Sequence, residues 1–179
     1  MARAIALLRG INVGKARRIG MADLRAALEA AGYGDVRTLG QSGNVVLSAD
    51  ASGDALAREL EKVISGAIGV DPLVVVRTPR QLAAVVERNP LGDVVAEEPR
   101  RCLVHFLSAK PDAAALRTLR SADVAPEVFA AHGRELYSWH PDGLQNSKLA
   151  KLLADAPLGV TVTNRNWNTV TKLLALAQD

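Results

Sequence analysis

Four short polar segments hold the side chains with which this chain can do chemistry. Gly10-Ile11-Asn12-Val13-Gly14-Lys15-Ala16 follows an apolar run and precedes a helical pattern, where a phosphate-cradling loop would sit. It is not a nucleotide-triphosphate P-loop, because three residues rather than four separate Gly10 from Gly14 and Ala16 replaces the hydroxyl that would hold Mg²⁺. Two readings remain open for it. Backbone N–H groups together with Arg9, Lys15, Arg17 and Arg18 can bind an anion, or the glycines serve a turn and the cations form a solvated rim. Gln41-Ser42-Gly43-Asn44 places two amides and a hydroxyl at a strand entrance, either as ligand groups or as turn residues bonding their own backbone. Thr163-Asn164-Arg165-Asn166-Trp167-Asn168-Thr169 has more Asn than one helix cap requires. There Trp167 either fills a hydrophobic gap or stacks on a planar ligand. Asn146-Ser147-Lys148 opens another helix, with Lys148 and Lys151 one turn apart as a solvated face or a phosphate contact.

The elements that must position these segments follow from periodicity. Arg3 to Leu8 reads as a buried strand, and Met21, Leu24, Leu28 and Ala31 recur at helical spacing up to Gly32. Strands over Val36–Leu39 and Asn44–Ser48 flank the second polar segment, Asp54 opens a helix with Leu56, Leu60, Val63, Ile64 and Ala67 on one face, and Leu73–Val76 is a β-branched strand. The order is β-α-β-β-α-β. Thr78-Pro79-Arg80-Gln81 has the pattern of a capping box with Pro at the first helical position, and Asn89 to Arg100 reads as a linker. The same order then recurs: strand Arg101–Ser108, helix Pro111–Arg120, strands Val124–Ala131 and Glu135–His140, helix Ser147–Asp155 and strand Gly159–Thr163, followed by an extra helix Trp167–Gln178. This predicts an α+β protein of two tandem ferredoxin-like units, 1–78 and 101–179, joined by a helix and linker over 79–100. A single longer mixed sheet is the alternative. Within such a unit, the loop after the first strand and the entrance of the second helix are expected at neighbouring ends of the layer.

Composition narrows the function classes. The chain has 179 residues, 49% hydrophobic and 23% charged, which excludes disorder, collagen and coiled coil. Aromatics are only 3%, so the core is Ala, Val and Leu. One Cys and three His argue against a disulfide framework and a metal centre, and no cofactor is expected. The net charge of +3 is carried by residues 1–90, with twelve Lys and Arg against nine Asp and Glu, and Arg3 to Arg18 contains five cations and no acid. The apolar run Ala4–Leu8 is too short for a signal peptide, and no uncharged stretch approaches the ~20 residues of a membrane span. A cytoplasmic protein with no membrane partner is expected.

The common catalytic templates do not fit. There is no Gly-x-Ser-x-Gly, no His-Glu-x-x-His and no paired carboxylate. Cys102 alternates with Val104 and Phe106 as a core thiol, His105 falls with Leu103 and Leu107 as a packed histidine, and His132 and His140 lack an acidic partner at an informative spacing. RNA binding through a sheet face needs stacking aromatics on central strands. The first and third strands have none, and Tyr137 and Trp139 read mainly as core.

Leu7-Leu8-Arg9-Gly10-Ile11-Asn12-Val13-Gly14, Met21 with Leu24, Gln41-Ser42-Gly43-Asn44-Val45-Val46, and Asn166-Trp167-Asn168-Thr169-Val170 with Lys172-Leu173 resemble the bacterial family called domain of unknown function 1697. Where many members have a second glycine after Gly14 this chain has Lys15, and Arg17 replaces an Asn often found further on. The resemblance implies no particular activity, but its signature segments are the polar clusters, which favours a shared site over unrelated turns. The expected ligand set is therefore Arg9, Gly10, Asn12, Gly14, Ser42, Asn44, Lys148, Asn166, Trp167 and Asn168, serving a small anionic or nucleotide-type ligand. The alternatives are a metal-independent hydrolase or transferase at the same site, with Arg9 stabilising developing negative charge, and nucleic-acid binding through Arg3 to Arg18.

Overall fold

The strand β1 (Ala2–Arg9) is apolar from Ala4 to Leu8 and buried on both faces, as the central strand of a sheet must be. In the computed structural model, which describes residues 1–12 and 18–179, it is followed by α1 (Met21–Ala30), β2 (Gly34–Thr38), β3 (Asn44–Ala49), α2 (Gly53–Ile68) and β4 (Leu73–Arg77). β1 pairs antiparallel with β3 and β4, and β3 with β2, giving the order β2-β3-β1-β4. Then come α3 (Pro79–Arg88), α4 (Val94–Glu97), β5 (Cys102–Leu107), α5 (Ala113–Ser121), β6 (Val128–His132), β7 (Glu135–Trp139), α6 (Lys148–Asp155), β8 (Val162–Asn166) and α7 (Trp167–Gln178). The second sheet has the order β6-β7-β5-β8, again antiparallel throughout. Both are the split βαβ arrangement, so the chain is α+β with two tandem ferredoxin-like units rather than one mixed sheet. It divides into two compact units, Met1–Ala84 with Lys172–Asp179, and Val85–Thr171.

In the first unit Ala4, Ala6 and Leu8 of β1 and Val45, Leu47 and Ala49 of β3 face the helices, where Leu24 and Leu28 of α1 and Leu56, Leu60 and Ile64 of α2 complete an apolar core. Gly69 ends α2 with φ 73° and its N–H bonds Ser65 O at 2.9 Å, as a left-handed cap does. The expected box at α3 is present: Gln81 N donates to Thr78 Oγ1 at 3.1 Å, and Thr78 N donates to Gln81 Oε1 at 2.9 Å.

In the second unit the core under the helices is smaller, built on Leu107, Ala115, Leu119, Leu136 and Leu158. Two strands lie later in the chain than periodicity suggests. β6 begins at Val128, and β8 begins at Val162 and runs through Asn164 and Arg165. The polar run from Thr163 is thus half strand, because pairing of Leu103 with Asn166 and Val104 with Arg165 keeps it in the sheet. Thr163 and Arg165 point to a buried face while Asn164 is exposed.

Candidate functional site

At the end of the first sheet where β1 stops, Leu8 N donates to Gly43 O at 2.8 Å and Leu39 N donates to Asn44 O at 3.0 Å. A side chain at Gly43 would place Cβ 2.6 Å from Leu8 Cβ and 2.7 Å from Ile11 Cδ1, and φ is 73°, so only glycine lets these segments approach. Asn12, held at φ 53°, then buckles the rim: its Nδ2 donates to Gln41 O at 2.8 Å and to Ile19 O at 3.1 Å, and its Oδ1 accepts from Ile19 N at 2.7 Å. Asn44 is buried and spends its Nδ2 on Leu39 O at 2.9 Å. The first two polar segments are therefore joined. Asn12 does the joining and Asn44 closes its own turn onto Leu39, while Arg9, Gly10 and Ser42 are exposed on the rim together with Arg18. Among the described residues neither Arg9 nor Arg18 makes an ion pair. Asp23 folds back over the start of α1, with Oδ2 2.7 Å from where a Gly20 Cβ would lie, so that helix end already has its own carboxylate. Gly14, Lys15 and Arg17 lie outside the described residues.

The other candidates belong to the second unit. Asn166 caps α7, its Oδ1 accepting from Thr169 N at 2.9 Å and Thr169 Oγ1 at 3.0 Å. Trp167 is buried, which is a packing role rather than an exposed stacking surface, and its backbone N–H donates to Pro99 O at 3.2 Å. Asn168 is half-buried, and Lys148 is exposed at the first position of α6. The neighbouring Arg165 is buried, donates to Thr163 Oγ1 at 2.8 Å and Asn164 O at 2.7 Å, and has its pKa pulled down to about 10 by burial. Register places the start of α6 and Asn166 at the end of the sheet where β5 begins: Trp139 stands opposite Cys102, and Asn166 opposite Leu103. The loop leaving β5 is at the other end. The expectation that the first loop and the second-helix entrance lie at neighbouring ends of the layer is thus incorrect: they lie at opposite ends, because the first and third strands are antiparallel and the helix follows the third.

A polar chain that periodicity missed lies under α6. His105 Nε2 and His140 Nε2 each sit 2.8 Å from Ser138 Oγ, and His140 Nδ1 sits 2.8 Å from both Glu127 Oε1 and Ser147 Oγ. Ser147 Oγ also donates to Glu127 Oε1. With neutral imidazoles one proton arrangement gives every group a partner: His105 Nε2–H donates to Ser138, Ser138 O–H to His140 Nε2, Ser147 O–H to Glu127, and His140 Nδ1–H is shared between Glu127 and Ser147 Oγ. Leu149 N completes Glu127 by donating to Oε2 at 2.9 Å, and Ala150 N donates to Ser147 at 2.7 Å. Burial raises the Glu127 pKa, but the bonds from Ser147, Leu149 and His140 outweigh it and the net shift is downward. Burial, and secondarily His140, lowers His105 to about 4. Ser138-His140-Glu127 has the order of a nucleophile, base and orienting carboxylate. Ser138 is fully buried and already accepts from His105, so here the chain acts as an anchor for α6. The paired placement of Ser138 and His140 at i, i+2 was visible in sequence; their connection to His105 and Glu127 depends on strand register.

The model of a family described as "Protein of unknown function (DUF1697)" matches residues 1–137. The chain belongs to the DUF1697 family. The match takes in Arg9–Asn12, Gln41–Asn44, His105 and Glu127, and ends before Ser138 and the Asn166 segment of this DUF1697 chain. Among solved structures, a conserved bacterial protein, SP0830 from Streptococcus pneumoniae, is similar with a TM-score of 0.81 and 23% identity, over 100% of this chain and 99% of that one. At that identity the likeness shows the shared fold of this DUF1697 chain alone. No curated protein matches it. Among the described residues no helix is long and apolar enough to cross a membrane, and no group of three His, Cys, Asp or Glu could hold a metal ion.

Proposed function

We propose that this protein is a cytosolic binding protein that recognises a small anionic, phosphate-bearing ligand at the basic rim of its first unit. The observation that carries this reading is the Asn12 clasp onto Ile19 and Gln41, which joins the two polar segments while Arg9 and Ser42 remain exposed beside it. The cation for the ligand is Arg9, assisted by Arg18, since guanidinium groups match phosphate oxygens through two parallel N–H donors. Asn12 and Asn44 act as positioning residues. Asn166 and Trp167 hold α7, and their parts in ligand contact are not needed for this reading.

Calorimetric titration of the full chain with inorganic phosphate, ADP and a short single-stranded RNA tests it. Binding of phosphate or ADP that falls at least tenfold in Arg9→Ala supports the reading. Affinity unchanged by Arg9→Ala, or absent for all three ligands, overturns it. An RNA affinity that falls steeply with salt while phosphate and ADP do not bind assigns the basic segment to nucleic acid instead.

A further inference from the structure

The helix layer of the second unit contains a groove of about 400 Å³, lined in part by Asp112, Ala115, Thr118, Leu119, Leu152 and Asp155. Its origin is a difference in helix length. α2 has 16 residues and packs along α1, whereas α6 has 8 residues and does not close against α5. The alanines of α5 leave the gap unfilled, and Leu152 stands 37% exposed at its edge. A volume of this size with an apolar lining and few polar groups is that of a small-molecule site.

The two charged groups lining the groove are both carboxylates, in a chain of net charge +3. Asp112 has a structural task, since its Oδ1 accepts from Ala115 N at 2.8 Å as the cap of α5. Asp155 has none. It is the last residue of α6, where the negative end of the helix dipole disfavours a carboxylate, and no ion pair or hydrogen bond reaches its side chain among the described residues. An ammonium group there would neutralise Asp155 and meet the carbonyls at the end of α6 with its remaining donors. We propose that this groove binds an amphiphilic amine, its cationic head on Asp155 and its apolar part over Ala115, Leu119 and Leu152.

The test is a titration of the full chain with n-hexylammonium, 1-hexanol and hexanoate, followed through backbone amide shifts. Hexylammonium is expected to bind at least fivefold more tightly than hexanol, with shifts concentrated in residues 112–119 and 152–158, and hexanoate is expected not to bind. Asp155→Asn should bring hexylammonium to the level of hexanol and leave hexanol unchanged. Thr118→Trp, which fills the groove from α5, should remove both, with circular dichroism confirming the fold; if it does not fold, Asp155→Asn decides alone. Hexanoate binding as well as hexylammonium, a preference that survives Asp155→Asn, shifts centred elsewhere, or no hexylammonium binding would each overturn the proposal.

Discussion

Beneath α1 and α2 the first sheet presents Ala4, Ala6 and Leu8 from its first strand and Val45, Leu47 and Ala49 from its third. Beneath α5 and α6 the matching strands present Leu103, His105 and Leu107, then Leu136 and Ser138, with His140 just beyond. Topology and register are the same, but the filling differs. α2 is held by four buried side chains, Leu56, Ala57, Leu60 and Ile64, whereas α6 has one, Leu149. The hydrophobic contribution scales with the apolar area removed from water, so a two-turn helix with one buried leucine needs another attachment. Glu127, Ser147 and His140 supply it at the N-terminus of α6, and the far end of α6 borders the groove. One layer is closed by area, the other by directed bonds. The ferredoxin-like order tolerates either, provided that each polar group taken out of water has a partner.

The sharpest contrast is in core truncation. Leu60→Ala, in the closed layer, is expected to cost roughly 4 kcal/mol, and Leu119→Ala, beside the groove, roughly 2.5 kcal/mol, because the deficit grows with the cavity that cannot collapse or fill. Chemical denaturation combined with hydrogen exchange in β1 and β5 measures both, and equal losses would mean that the second layer is as tightly closed as the first. Next comes the polar anchor. Glu127→Ala leaves Leu149 N–H, Ser147 and His140 without their acceptor, an expected loss of about 3 kcal/mol. Both tryptophans, Trp139 and Trp167, lie in the second unit, so their fluorescence reports it selectively. A change below ~0.5 kcal/mol, the level of an ordinary surface substitution, would remove the anchor from the comparison.

Much of the fold is legible in sequence because its signals are local. Thr78 with Gln81, Gly69 after Ile64, and the run Leu73–Val76 each announce an element from within a few residues, and two rounds of β-α-β-β-α-β then permit few topologies. Where the reading fails, the deciding contact is remote. β8 extends to Asn166 because β5 pairs with it across some sixty residues of chain, which no local pattern of Asn and Arg reveals. Asn12 looks like a ligand group and is a buckle, since its partners Ile19 and Gln41 are brought to it by the fold. His140 has no acid at a spacing the sequence makes informative, since Glu127 precedes it by thirteen residues in a segment that reads as strand. The rim carried by Arg9 and Ser42 was legible as excess polarity. The groove was not, because it arises from how short α6 is relative to the face it covers.

Acid should separate the two units as well. All three histidines belong to the second unit. His105 is held neutral, with its pKa lowered from 6.5 to about 4, so the unfolded chain takes up a proton at a higher pH than the folded one. Stability is therefore full above about pH 6.5 and falls as pH drops from there toward 4, by roughly 2 kcal/mol between pH 7 and pH 5. Glu127, whose pKa is also depressed, adds a loss of the same sign at still lower pH. Tryptophan-detected urea unfolding across this range should show the slope, and His105→Gln, which can still bond Ser138 but does not titrate, should flatten it down to about pH 5. Amide exchange in β1 should change far less over the same window. A slope that survives His105→Gln would place the sensitive group elsewhere.

The smallest effect concerns the open end of the second layer. Asp155 sits at the C-terminus of α6 with no basic residue in the last turn and no ion pair among the described residues, Lys151 one turn back included, and its charge opposes the helix dipole. Asp155→Asn removes that repulsion and should raise the stability of the second unit by about 0.5 kcal/mol at low ionic strength, with the gain shrinking as salt screens the interaction. The matching helix of the first unit has no such position, because α2 ends on Ile68 and the left-handed Gly69. The sign is the informative part. A carboxylate that helped α6 by an unseen contact would make Asp155→Asn destabilising, whereas a residue that weakens the isolated chain gains its use from something that arrives at the groove.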